Sequence, residues 1–294
     1  AAARLDVQAM SASVGQSGEA AFDLELKLLL EAIFERYHCD FRGYAMSSLR
    51  RRLRQAMDRF GVASLSLLQD RVLHDAHALP ILLDYLTVQV SEMFRDPTHF
   101  LALRRDVLPI LATYPSLKIW IAGCSTGEEL YSMAILLEEE QLLDRAILYA
   151  TDVNDEALRK AEAGVYALDR VAGFSESYAK AGGKNSLSDW YTAAYGSVVF
   201  DRRLRRNVVF SDHSLATDGD FTQTHLVLCR NVLIYFDREL QDRAIALFEQ
   251  SLVPRGFLAL GSKENLRVSS HAPAFDTFDR RERIYRKRRM SNVE

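Results

Sequence analysis

Long apolar runs are missing from this chain. Its most hydrophobic stretches, such as 146–150 and 226–229, fall far short of the roughly 18 residues a membrane helix needs, so no bilayer span and no membrane insertion is expected. The first 20 residues are rich in Ala, Ser and Gly and lack a continuous apolar core, which argues against a signal peptide and predicts a disordered leader. Charge of one sign is scarce as well. With 37 Lys+Arg against 40 Asp+Glu the net charge is −3, which gives no support to nucleic-acid wrapping. Cys39, Cys124 and Cys229 are odd in number, far apart and outside any metal-ligand spacing, so free thiols in a reducing, cytoplasmic compartment are expected, and no metal. His74 and His77 share a helix without further ligands and read as surface residues. No repeat of 20–50 residues is visible.

What is present is 48% hydrophobic residues over 294, enough for a large domain and a smaller one. Between 21 and 95 apolar residues recur at helical spacing (Phe22, Leu26, Leu29, Leu30, Ile33, then Leu49, Leu53, Ala56, Met57, Phe60), predicting a small all-helical domain. Asp96-Pro97 interrupts it, because proline disfavours helix in the preceding residue and suits the first turn of a new helix, here about 98–111. After Tyr114-Pro115, short apolar or β-branched runs alternate with helical stretches. Strands are predicted at 117–122, 146–151, 224–229, 257–261 and 283–287, and helices at 128–140, 155–164 and 238–252. This is an α/β pattern, a Rossmann-like parallel sheet with helices on both faces. Two short strands, 197–200 and 207–210, flank the basic turn 201–206 and predict a small antiparallel β insert, about 190–212, on the sheet's edge. The second domain then covers 96–289, followed by a tail at 290–294; the basic segment 280–289 is expected to be an edge strand with a charged exterior.

The segment Ile119-Trp-Ile-Ala-Gly123-Cys-Ser-Thr-Gly127-Glu-Glu-Leu-Tyr131 is a strand entering a glycine-bearing loop and then a helix, at the carboxyl end of the strands where open α/β sheets bind ligands. It lacks a P-loop lysine and G-x-G-x-x-G, and Glu128 and Glu129 at the helix start would repel a pyrophosphate. Two carboxylates suit a cation, which favours S-adenosylmethionine over a dinucleotide. Asp152, 29 residues after Gly123 at the next strand end, is placed to accept from ribose hydroxyls; alternatively Asp152 or Asn154 caps the helix from about 155.

Gly123-Cys-Ser-Thr-Gly-Glu-Glu-Leu-Tyr-Ser132, Ala150-Thr-Asp-Val-Asn154 with Ala161 to Tyr166 behind it, Cys229-Arg-Asn-Val-Leu-Ile-Tyr-Phe-Asp237 and Gly256 to Glu264 together resemble the CheR-type chemoreceptor glutamate methyltransferases. The resemblance runs in order over about 25–287 and includes Asp40-Phe-Arg-Gly-Tyr44 and Ser48-Leu-Arg-Arg-Arg52 in the helical part. It implies methyl transfer from S-adenosylmethionine, leaving S-adenosylhomocysteine, to glutamates in the cytoplasmic helical domain of a methyl-accepting chemoreceptor by a monomeric enzyme. The cofactor is expected to meet Gln89, Ser91 and Arg95 from the helical side, and Gly123, Glu128, Asp152, Ser214, Leu215, Arg230 and Asn231 from the sheet. Gln89 and Ser91 stand where the family usually has Asn and Thr, and Ser214 where it has Asn. Arg95 and Tyr235 match the two polar side chains that face the transferred methyl.

The resemblance also assigns a docking role to Arg51 and Arg54, opposite the apolar stripe of the helix at 49–60, with Arg50, Arg52 and Arg59 flanking. Because 201–206 contains no glycine, unlike the region in relatives that grip a receptor's tether peptide, tether-independent action is expected. The competing readings are a nicotinamide-dependent oxidoreductase, opposed by the missing glycine fingerprint, and a module that senses S-adenosylmethionine or its product without turnover.

Overall fold

The helical periodicity of the first part builds four helices, α1 (Ala2–Tyr37), α2 (Met46–Phe60), α3 (Leu65–His74) and α4 (Ala78–Leu86). In this computed structural model the described residues are 2–87, 89–219, 221–267 and 269–289, with side chains from residue 18 onward; the expected tail at 290–294 lies outside them. The chain divides into two units, Ala1–Thr87 and Val88–Glu294. The division precedes Asp96-Pro97 by eight residues, so 89–95 belongs to the second unit rather than to the helical one.

In the first unit the predicted stripes form one core: Leu26, Leu29 and Ile33 of α1, Leu49, Leu53 and Ala56 of α2, with Leu68 of α3 and Leu82 of α4. Ser64 caps α3 by accepting from the Leu67 amide, and Gly61, with φ 64°, ends α2 in the left-handed conformation that glycine adopts without strain. Two expectations change here. The stretch read as a disordered leader is the start of α1. Arg52, read as a solvated flank, is buried, and its Nη1 donates to the Leu86 carbonyl at 2.5 Å, satisfying a carbonyl at the end of α4.

The second unit opens with a helical stretch, α5 (Pro97–Ala102), a π-turn at Leu103–Val107 and α6 (Leu108–Leu111). Its sheet comprises β1 (Leu117–Ala122), β2 (Ala146–Asp152), β6 (Val208–Asp212), β7 (Thr224–Cys229), β8 (Leu252–Leu260), β9 (Phe275–Asp279) and β10 (Ile284–Lys287), in the order β6-β2-β1-β7-β8-β10-β9. The first five strands of that order are parallel, and β10 runs antiparallel to both its neighbours, β8 and β9, so the sheet is mixed. Helices α7 (Glu128–Glu139), α8 (Asp155–Ala163), α9 (Val171–Lys180) and α10 (Arg238–Ser251) complete the unit. Burial of Leu117, Ile119, Ile121, Leu226 and Leu228 against Leu130, Met133 and Leu137 explains why these strands read as continuous apolar runs.

The β insert is real but differently built. It is a three-stranded antiparallel sheet of β3 (Val165–Ala167), β4 (Tyr191–Ala194) and β5 (Ser197–Phe200). The strand predicted at 207–210 is β6, which leaves the insert and pairs in parallel with β2 from Leu148↔Val208 to Asp152↔Asp212. The insert's hairpin turn is therefore Tyr195-Gly196, with φ 50° and 74°. The glycine-free 201–206 segment connects two sheets, so it carries no argument about tether binding. The segment 280–289 is likewise not an edge: β10 lies between β8 and β9.

Candidate cofactor site

The loop after β1 is shaped by close approach. Gly123 (φ 73°) has Val232 so near that a Cβ would stand 2.6 Å from its Cγ2, and a Cβ on Gly127 (φ 92°) would stand 2.8 Å from Ala161 Cβ. Only glycine adopts these angles freely and leaves that room. The amides of Gly123 and Cys124 both donate to the Thr151 carbonyl at 2.8 Å, which lashes the loop to the end of β2.

Asp152, the last residue of β2, faces this loop. Its Oδ2 accepts from the Ser125 amide at 2.8 Å and its Oδ1 from the Asn154 amide at 3.0 Å. Asn154, not Asp152, caps α8, taking the Glu156 and Ala157 amides on its Oδ1. Burial holds the Asp152 carboxyl above its ordinary pKa, against the backbone amides that favour its ionised form. Gln89 joins the same loop: its Oε1 accepts from Ser125 Oγ at 3.1 Å.

Glu128 is completely buried at the start of α7. Thr126 Oγ1 donates to its Oε2 at 2.6 Å, and Arg170 Nη1 donates to its Oε1 at 2.7 Å. The same guanidinium donates to the Ser91 carbonyl, so Arg170 ties the 89–95 segment to the head of α7. Glu129 is engaged too, with Arg230 Nη1 at 2.9 Å. The two glutamates therefore do not present a free acidic pair, as the charge argument from sequence had it; each has an arginine. Asp152 is the carboxylate of this loop without a cationic partner among the described residues.

Arg230 follows β7 directly and reaches back: its Nη2 donates to Asp96 Oδ2 at 2.9 Å and to the Arg95 carbonyl at 2.8 Å. Phe94 (φ 51°) and Asp96 (φ 56°) on either side of Arg95 are both left-handed, a conformation that costs non-glycine residues about 1 kcal/mol or more and persists only where the surroundings impose it. The Phe94 amide donates to Ser132 Oγ at 2.8 Å, so this bend is fastened from both ends. Asn231 (φ 62°) donates its amide to Glu264 Oε2, which also accepts from the Gly261 amide at 2.6 Å. Tyr235 is half-buried in the short turn Leu233–Tyr235 that follows.

The structure thus brings Gln89 and Asp152 together through Ser125, Gly123 to the same strand end through the Thr151 carbonyl, Ser91 and Glu128 through Arg170, and Arg95 with Arg230. Ser214 bonds within its own turn, to Asp218 and Ala216, and Leu215 is buried; the adjoining His213 amide reaches the Asp152 carbonyl at 3.3 Å. Arg51 and Arg54 are exposed on α2 in the other unit. Two residues escaped sequence reasoning. Glu264 ends the Gly256 to Glu264 motif with no role assigned to it, whereas Arg170 lies in no motif.

Residues 89–283 match the family model described as "CheR methyltransferase, SAM binding domain", and residues 24–87 match "CheR methyltransferase, all-alpha domain". The chain belongs to the CheR methyltransferase family. A Pseudomonas putida protein named "Putative methyltransferase Cher3" is 54% identical over 265 residues, 90% of this chain and 97% of that one. A "Chemotaxis protein methyltransferase" of Vibrio parahaemolyticus is 33% identical over 74% of this chain and 80% of its own length, and one of Listeria monocytogenes 31% identical over 65% and 71%. As a CheR methyltransferase the protein takes S-adenosylmethionine as cofactor. The site fits that ligand: a buried acceptor-only carboxylate at the β2 end, a loop without bulky side chains at its two tight glycines, and no lysine that would demand a phosphate.

Proposed function

We propose that this CheR methyltransferase transfers the methyl group of S-adenosylmethionine to glutamate side chains of a bacterial chemoreceptor, forming glutamyl methyl esters in the cytoplasm. The observation that supports the reading is the fastening of the backbone around Arg95, a strained bend whose Arg95 carbonyl accepts from Arg230 beside the end of β7 and whose Phe94 amide is held by Ser132. The relatives named chemotaxis methyltransferases add the class of target.

A glutamate carboxyl with an ordinary pKa of about 4.3 is already an anionic nucleophile at neutral pH, so no general base is required. The bound cofactor supplies an electrophilic methyl on a cationic sulfonium. The chain's task is positioning, worth several orders of magnitude when the reacting atoms are held in line. In this reading Gln89, Ser91, Gly123, Asp152 and the turn of Ser214-Leu215 hold the cofactor. Glu128 and Arg230 act largely by holding the segments that line it, because their polar atoms are engaged with Arg170 and with Glu129 and Asp96, while Glu264 fixes the Asn231 backbone amide. Arg95 orients the incoming carboxylate through its guanidinium fork, and the Tyr235 hydroxyl donates near the reacting oxygen. Arg51 and Arg54 supply a basic face for an acidic receptor helix, a contact that salt weakens.

The test is peptide mapping by mass spectrometry of a purified chemoreceptor cytoplasmic fragment after incubation with the protein and S-adenosylmethionine. Methyl groups on glutamates, absent when those glutamates are replaced by glutamine-free alanine positions, support the reading; methylation of lysine or cysteine instead contradicts it.

A further inference from the structure

The loop that carries Gly123 and Gly127 is held from two sides. On one side Asp152 takes the Ser125 amide at 2.8 Å. On the other stands the β insert. Successive side chains of a strand point to opposite faces, and β3 runs exposed, buried, exposed through Val165, Tyr166 and Ala167, so Tyr166 is the β3 side chain turned inward. Its hydroxyl donates to the Thr126 carbonyl at 2.7 Å, one residue before Gly127.

Both ends of this contact are anchored. The Tyr166 ring meets Tyr131, Phe174 and Phe200 edge-on, with centroids 6.0, 6.3 and 5.7 Å away. The β3 backbone pairs with β5, and the Leu168 amide donates at 3.0 Å to the Gly196 carbonyl in the hairpin turn. Thr126 gives its own hydroxyl to Glu128, the carboxylate that Arg170 holds, and Arg170 lies two residues beyond Leu168. A Cβ on Gly127 would stand 3.1 Å from the Tyr166 oxygen, so the second glycine of the loop also leaves room for this hydroxyl. Burial pushes the Tyr166 phenol further above its ordinary pKa, so its oxygen stays a donor at neutral pH.

We propose that Tyr166 is a positioning residue for S-adenosylmethionine: it fixes the glycine loop in the shape that receives the cofactor, and thereby couples the β insert to the cofactor site. The inference rests on the cofactor loop of the function proposed above and not on the nature of the methyl acceptor. Without the hydroxyl the Thr126 carbonyl loses this donor and the loop samples other shapes. The cofactor then binds only the fraction of chains in the competent shape, and its apparent dissociation constant rises by the inverse of that fraction. Linkage makes the coupling reciprocal, so a cofactor that selects the fastened loop also steadies β3 and the strands joined to it.

The test uses the full chain and S-adenosylhomocysteine, with affinity read by titration calorimetry and the insert read by hydrogen–deuterium exchange of the β3, β4 and β5 amides. Tyr166→Phe keeps the ring and removes one oxygen. The wild type is expected to bind and, when bound, to slow exchange in the insert severalfold. Tyr166→Phe is expected to bind about tenfold more weakly, the loss that one hydrogen bond warrants, and to show less than about half of that added protection, since Arg170 still ties the end of β3 to α7. Both proteins are compared well below their melting temperatures, where a change in global stability leaves the affinity of the folded chain untouched. Equal affinity of the two proteins, or an insert whose exchange in the wild type ignores the ligand, overturns the proposal and leaves the cofactor site standing. A wild type that binds no S-adenosylhomocysteine overturns the cofactor site itself, and the role of Tyr166 with it.

Discussion

Arg230 Nη2 donates to the Arg95 carbonyl at 2.8 Å, across 135 residues of sequence. Arg230 exposes only 2% of its side chain and also holds Glu129 and Asp96, so one guanidinium joins the end of β7, the head of α7 and the bend that presents Arg95. Removing one member of a buried ion pair leaves its partners uncompensated. Arg230→Gln is therefore expected to cost about 3 kcal/mol of stability in chemical denaturation. Arg230→Lys should recover part of that stability but little of the methyl-transfer rate, because a point charge cannot hold a carbonyl and two carboxylates at once. Equal activity of Arg230→Lys and wild type would contradict this role.

Arg170 compensates Glu128, whose carboxylate is fully buried, and lines up the Ser91 carbonyl with it. Arg170→Met leaves a buried charge without a partner and is expected to lower stability by about 2 kcal/mol. Adding Glu128→Gln to Arg170→Met should restore most of the loss, whereas in the wild type Glu128→Gln alone should destabilise. A double-mutant cycle with no coupling would show that the pair does not act as drawn.

Burial raises the Asp152 pKa above the ordinary aspartate value. A carboxyl with a raised folded-state pKa binds its proton more tightly in the folded chain, so its contribution to stability is complete below the unfolded value of about 3.9 and is lost as pH rises through the folded one. Hydrogen bonds from cofactor hydroxyls favour the ionised form, so binding should release a proton in that window and affinity should rise with pH there. Calorimetry of S-adenosylhomocysteine in buffers of different ionisation enthalpy should show this release in the wild type and its loss in Asp152→Asn. An identical pH dependence in the two proteins would remove Asp152 from cofactor binding.

Much of this was legible in the residues. Strands β1, β2 and β7 are apolar on both faces, and their turns are marked by glycine, asparagine or proline, so their bounds could be read almost to the residue. The glycine loop and Asp152 follow from the same runs. What could not be read is pairing between distant segments. Strand β6 looks like the second arm of a hairpin, because an alternating five-residue strand does not say which sheet takes its edge. Arg170 meets Glu128 across 42 residues and Arg230 meets Glu129 across 101, so a helix start that reads as doubly acidic is electrically balanced in the fold. Arg52 failed for a related reason: the wheel places it beside the apolar stripe, but only the fold supplies the α4 carbonyl that makes burial tolerable.

In the proposed mechanism Arg95 sets the reacting carboxylate while other residues hold the cofactor. The direct measurement is transfer of label from methyl-tritiated S-adenosylmethionine to a chemoreceptor fragment, counted as alkali-labile methanol, for the wild type and Arg95→Lys, with cofactor affinity measured in parallel. The account predicts alkali-labile label from the wild type and, in Arg95→Lys, about a hundredfold slower transfer with cofactor affinity changed by no more than about threefold. Alkali-stable label, or undiminished transfer by Arg95→Lys, would contradict it.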